Sequence, residues 1–183
     1  MKKSLSLVVF IAVNAVLIGQ SIPPNFKSSS SSSNGLSINS RRSVLIEKQV
    51  FNIGKFQNLN FQKIVSKDIS ENSFEKVFGI MIEYETYDNI SKRTFTIGKP
   101  ELSKLIEALT TLQQRENEKI EVETKYKFQT LSNIEFGGVY NEVAKKWTNY
   151  IKFPSAILQN LNEFSKEELK DLIKLLKKVE SEL

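Results

Sequence analysis

Neither cysteine nor histidine occurs anywhere in the chain. Without cysteine there is no disulfide, no thiolate nucleophile and no Cys-ligated metal, so stability has to come from the core alone. Without histidine there is no His-based triad, no usual general base near neutral pH and none of the common catalytic zinc sites. Glycine is scarce, at seven residues. None of it builds a phosphate-cradling loop, because Gly137-Gly138 lacks the required spacing and the helix that should follow. Serine is plentiful, but no serine sits in a Gly-x-Ser-x-Gly elbow, and Ser70 and Ser91 read as turn residues. The sequence therefore points to no cofactor and no resident metal.

What is present begins with an export signal. Lys2 and Lys3 precede an apolar run from Leu5 to Gly19, and Gly19-Gln20-Ser21 is a small-residue exit. This pattern predicts a cleavable signal peptide over residues 1–21 and a secreted or periplasmic location. The run is shorter than the ~20 apolar residues that span a bilayer, so no stable membrane anchor is expected after cleavage. Gln20 stands where a lipoprotein would carry its lipidated cysteine, which argues against lipid anchoring. Residues 22–43 hold Pro23-Pro24 and six serines from Ser28 to Ser33, a composition that predicts a flexible tether. The remainder, residues 44–183, is large enough to form one domain with its own core.

The net charge of +5 suggests nucleic acid until it is mapped. Lys2, Lys3, Lys27, Arg41 and Arg42 all precede residue 44, and no acidic residue does, leaving 21 basic against 21 acidic residues in the domain. The domain is neutral, which weighs against a whole-surface phosphate footprint.

Within the domain the fold class reads as α+β, with a mainly antiparallel sheet and two amphipathic helices. Lys119 to Thr130 alternates Ile120, Val122, Tyr126 and Phe128 with Glu121, Glu123, Lys125 and Lys127, which predicts a half-buried strand. Residues 77–86 alternate in the same way, and further strands are expected at 44–50, 59–67, 93–97 and 146–153. Pro100 opens a helix with Leu102, Leu105, Ile106, Leu109 and Leu112 on one face. Ser165 and Glu168 form a capping box that starts a second helix running to about Glu182. Ser155 to Glu163 reads as a loop before it.

Gly137-Gly138 interrupts a strand-like stretch, which predicts a bulge or a close backbone approach. The Phe-Gly pair recurs at Phe78-Gly79. Residues 59–114 and 119–183 each run through strands, a proline and a helix, and so read as a tandem βββα repeat.

Carboxylates are the remaining catalytic option. Glu83 with Glu85, and Glu121 with Glu123, lie two apart and would project from one strand face about 6.6 Å apart, a separation within reach of an inverting glycosidase. That spacing is automatic for Glu-x-Glu on a strand. Trp147 shares its parity with Ile151 and Phe153 and reads as core. Lys145, Lys146, Tyr150 and Lys152 make an exposed aromatic and basic strip, the candidate binding surface.

A strand-rich unit ending in a helix, in tandem, resembles the four-strand-plus-helix unit of the Whirly and PC4-like single-strand nucleic-acid binders, with three strands per unit read here in place of four. Lys145-Lys146-Trp147 and Tyr150 would lie on a strand that such proteins use. The Lys, Asn and Ile richness also resembles short secreted proteins of AT-rich bacteria, which implies a compartment and not an activity. The leading expectation is a non-catalytic secreted or periplasmic binding or structural domain with an unassigned ligand or protein partner. The alternatives are a carboxylate-dependent hydrolase and a single-stranded nucleic-acid binding module.

Overall fold

Two antiparallel sheets and two helices make up the fold, as expected for the α+β class. The computed structural model describes residues 38, 42–86, 89–154 and 161–183. The expected signal peptide and most of the expected tether lie outside the described residues. Ile38 belongs to the stretch read as a tether, yet it is buried and its backbone N–H donates to Glu75 Oε2 at 2.9 Å.

The first sheet is a meander of β1 (Ile46–Phe56), β2 (Leu59–Asp68), β3 (Ser73–Thr86) and β4 (Asn89–Ile97), followed by α1 (Lys99–Arg115). The second repeats that order with β5 (Thr124–Gln129), β6 (Glu135–Asn141), β7 (Lys146–Lys152), β8 (Leu161–Phe164) and α2 (Lys166–Glu182). Each half thus holds four strands where the sequence suggested three, and the first half starts at Ile46 instead of residue 59. The two Phe-Gly pairs fall on the third strand of one sheet and the second of the other, so they do not occupy equivalent positions.

Side-chain chemistry explains the elements. Both helices bury the stripes read from the sequence: Leu102, Leu105, Ile106, Leu109 and Leu112 on α1, and Leu169, Leu172, Ile173, Leu176 and Val179 on α2. Ser165 caps α2 reciprocally with Glu168, satisfying two amides that the helix geometry leaves unpaired. α1 instead begins on Gly98 and Pro100, with no side-chain cap. The helices pack on each other and each bridges the sheets: α1 touches β3, β5 and β6, and α2 touches β1, β2 and β7. Phe56 meets Phe164 edge-on at 5.1 Å and Phe95 meets Phe153 at 5.3 Å, joining the sheets directly in one continuous core.

The glycine pair carries no bulge. β6 runs in unbroken register, with Gly137 opposite Tyr150 and Gly138 opposite Asn149. The reason for glycine is proximity: a Cβ on Gly137 would lie 2.3 Å from the Tyr126 carbonyl oxygen and 2.7 Å from the Tyr150 hydroxyl. One on Gly138 would lie 2.7 Å from Asn149 Oδ1. A bulge lies instead in β1, where Ile53 is the extra residue between Asn52 and Gly54. It switches the side-chain parity, so that Phe51 before it and Phe56 after it share the core-side face.

Candidate functional sites

Tyr150 is only 6% exposed. It projects on the outer face of the second sheet, folds across Gly137 and donates its hydroxyl to Glu135 Oε1 at 2.5 Å. Lys125 Nζ sits 5.3 Å from its ring centroid and 3.0 Å from the same Glu135. The Tyr150 hydroxyl holds the Glu135 carboxyl below its ordinary range, with Lys125 helping, while burial and then Glu135 push the phenol up. Of the strip expected at Lys145, Lys146, Tyr150 and Lys152, only the lysines are exposed. Lys145 takes a left-handed conformation, φ 48, in the β6–β7 turn, and Lys146 and Lys152 lie at the two ends of β7. The strip therefore has no open ring on which a base could stack.

The carboxylates expected in pairs are dispersed. Glu83 on β3 faces Lys92 across the sheet at 2.9 Å, and that hydrogen bond keeps its carboxyl below the usual range. Glu85 stands two residues further along β3, opposite Ile90. Glu121 and Glu123 are not on a strand at all: β5 begins at Thr124, because its partner β6 ends one residue beyond Tyr140, which pairs with Thr124. Both are exposed, and Glu121 pairs with Lys119 at 3.7 Å. Among the described residues no group of three acidic side chains is placed to hold a metal ion.

A different carboxylate is perturbed. Glu116 caps α1, is buried, and accepts from Asn149 Nδ2 at 2.7 Å. Burial pushes its carboxyl above the ordinary value, against the pull of Asn149 and Lys166. Its Oε2 and Asn149 Oδ1 have no hydrogen-bond partner. A lone glutamate at a helix end gives no such signal in the sequence.

Two surfaces emerge only from the assembled fold. The first is a groove of about 380 Å³ between α1 and β5. Leu109, Leu112, Tyr126, Phe128 and Phe136 line its apolar part, with Lys104, Glu107 and Arg115 around it. Tyr126 continues into an aromatic cluster, stacked on Trp147 at 5.8 Å with Tyr140 at 5.6 Å from the same indole. Trp147 is thus half-buried, packed on the core on one side and on tyrosines on another. In the sequence, Tyr126 and Phe128 read as core-facing, and nothing local shows that α1 stands off from them.

The second surface is the core-side face of the first sheet beyond α2. The helix closes over Ile53 and Gly54, where Lys178 Nζ donates to the Ile53 carbonyl at 3.2 Å. Past that point Phe51, Phe74, Leu45 and Ile69 are exposed, Leu45 and Phe74 by more than two thirds. Lys63, Lys67 and Lys76 share this face, and Lys63 and Lys76 lie over the Phe51 and Phe74 rings at 5.0 and 5.8 Å.

Compared with models of protein families, with curated proteins and with solved structures, the chain matches none. No described helix is long and apolar enough to cross a membrane.

Proposed function

We propose that this chain is an exported, non-catalytic binding domain that holds its ligand in the groove between α1 and β5. One observation carries the reading: a groove of about 380 Å³, mainly apolar and aromatic, with a few charged side chains at its margin. Ligand sites have this size and this mixture of apolar lining with sparse polar groups. The compartment rests on the basic-then-apolar start of the sequence, Lys2 to Gly19. The hydrolase alternative loses ground because Glu83 is ion-paired and ionised and Glu121 and Glu123 are in a solvated loop.

The test uses 1-anilinonaphthalene-8-sulfonate, an apolar anion, as the probe. Ala108 lines the groove, so Ala108→Phe fills it. The reading expects probe affinity to fall by about tenfold or more, the loss of ~1.4 kcal/mol, with the urea midpoint unchanged. Unaltered binding moves the site elsewhere. A hydrolase screen of the same protein is expected to show no turnover, and turnover lost in Glu83→Gln would install the enzyme reading.

A second reading, single-stranded nucleic-acid binding, draws on the open face of the first sheet, where Phe51 and Phe74 lie among Lys67 and Lys76, with Lys63 paired to Glu182 at 3.7 Å. Aromatic rings interleaved with lysines suit stacked bases and phosphates. Four strands followed by a helix in each half also supports the resemblance to Whirly and PC4-like proteins. Under the groove reading residues 44–183, without the basic residues that precede them, bind single strands no tighter than ~10⁻⁴ M at physiological salt. Micromolar affinity with a salt slope near −0.7 per phosphate contact, lost in Phe51→Ala and Phe74→Ala, would favour the second reading.

A further inference from the structure

The four sheet edges are not alike. β1 carries a bulge, a device that blunts an edge against further pairing. β8 is four residues long. β4 has its Thr96 carbonyl occupied by the Ser132 hydroxyl at 2.6 Å. β5 lacks these three features: all six residues keep unbroken register with β6, no described strand lies on its other side, and its only edge device is the pair Lys125 and Lys127, which repels basic edges and admits an acidic strand. The groove opens beside this edge, walled by Ala108, Thr111 and Leu112 of α1.

We infer that β5 is a docking edge for an extended peptide, added to the second sheet as a fifth strand, with apolar side chains toward α1 and acidic ones on the opposite face. The inference rests on the groove reading and names its occupant. Alternation in β5 dictates the pattern. Tyr126 and Phe128 project toward α1, while Lys125 and Lys127 project to the outer face. Residues paired across two strands share a face, so a strand laid beside β5 sends every second side chain into the groove and the others beside the lysines. Lys125 and Lys127 share a single carboxylate, Glu135, at 3.0 and 4.0 Å, which leaves one positive charge over. They are two residues apart, about 6.6 Å along the strand, the same repeat as alternate carboxylates on a paired peptide. The ladder hydrogen bonds give affinity and the alternating side chains give selectivity, as in other strand-addition complexes.

The probe is an N-acetylated, C-amidated heptapeptide with glutamate at positions one, three, five and seven, phenylalanine at four and valine at two and six. Titrated into the full mature chain and followed by Trp147 emission, it is expected to bind more tightly than about 1 mM. Amide exchange should slow along β5. N-methylation of alternate peptide amides should weaken binding about tenfold or more, and Lys127→Glu about fivefold. A peptide with lysine in place of glutamate should also bind less tightly. Equal binding by the N-methylated peptide overturns strand addition, and equal binding by the lysine peptide overturns the acidic preference. No binding up to about 1 mM, with the naphthalene probe still sensitive to Ala108→Phe, leaves the groove reading standing and sinks this one. Insensitivity of the naphthalene probe as well removes both.

Discussion

The two sheets share one connectivity and differ in length. Strands of 11, 10, 14 and 9 residues form the first, and strands of 6, 7, 7 and 4 form the second, while each helix has 17. A 17-residue helix is about 25 Å long, and a 14-residue strand reaches about 46 Å. The first sheet therefore outruns its cover, and Phe51, Leu45 and Phe74 stand beyond α2. The second is covered along most of its core side, and its opening is at an edge, between β5 and α1. Strands longer than the covering helix leave a face open in the first sheet, the stand-off of α1 from β5 leaves an edge open in the second, and each kind suits a different partner.

The comparison breaks first in the core. Phe136→Ala, at a buried position of the short sheet, is expected to cost about 3–5 kcal/mol, whereas Phe74→Ser on the overhang should stay within about 0.5 kcal/mol. Urea unfolding followed by far-UV circular dichroism measures both, and comparable costs would mean that the overhang is packed. Next come the two Phe-Gly pairs. Gly137→Ala meets the Tyr126 backbone oxygen and the Tyr150 ring, and is expected to cost about 2–3 kcal/mol; Gly79→Ala meets first the tip of Ile64, 2.7 Å from the added Cβ, which can turn aside, and should cost about 1 kcal/mol. The reverse order would show that the β5 backbone and Tyr150 both shift readily to admit a methyl at Gly137.

The helix starts give a smaller contrast. Ser165→Ala removes one arm of the capping box and should cost about 1 kcal/mol, whereas Gly98→Asn should change stability by only a few tenths of a kcal/mol. Thermal melts of the two variants separate these values.

The smallest effects are in pH. Glu135 titrates below its ordinary value of 4.5, so it contributes stability above that pH that is lost as pH falls through its folded value. Glu116 titrates above 4.5, so its contribution is present below that pH and fades as pH rises through its folded value. Melting temperature against pH should therefore fall less steeply on the acid side in Glu135→Gln, where Glu83 and Glu168 keep part of the fall, and lose the decline above pH 4.5 that Glu116 contributes in Glu116→Gln. Both variants shifting the same limb would contradict the opposite environments of the two carboxylates.

Features carried by neighbouring residues were legible in the sequence. Pro100 and the Ser165–Glu168 box mark both helix starts, and the apolar stripes name all ten core-facing helix positions. Features that need a partner strand were not. The alternation of Lys119 to Thr130 continues past the point where β6 can pair, so the pattern begins five residues before the strand does. β8 is four residues, Leu161–Phe164, too short for alternation to register, and it forms only because β7 offers an edge. Tyr150 has the parity of an exposed residue, and only the missing side chain of Gly137 beneath it lets the ring lie down. The groove joins α1 to β5 and β6, and the Glu116–Asn149 contact joins residues 33 apart, both beyond any local pattern.

Gln57, in the turn between β1 and β2, donates through Nε2 to the Glu163 carbonyl at 3.1 Å and to Glu168 Oε1 at 3.0 Å. Its neighbour Asn58 bonds to Asn162. Glu168 is the same residue that closes the capping box of α2, so the start of the last helix is braced by the first hairpin, more than 100 residues away in the chain. Loop closure over such a distance is entropically costly, and contacts of this kind slow the search for the native state. The capping box itself is local, so α2 can start on its own, and the Gln57 brace is the part of that start that closes only once the first hairpin and the last helix have met.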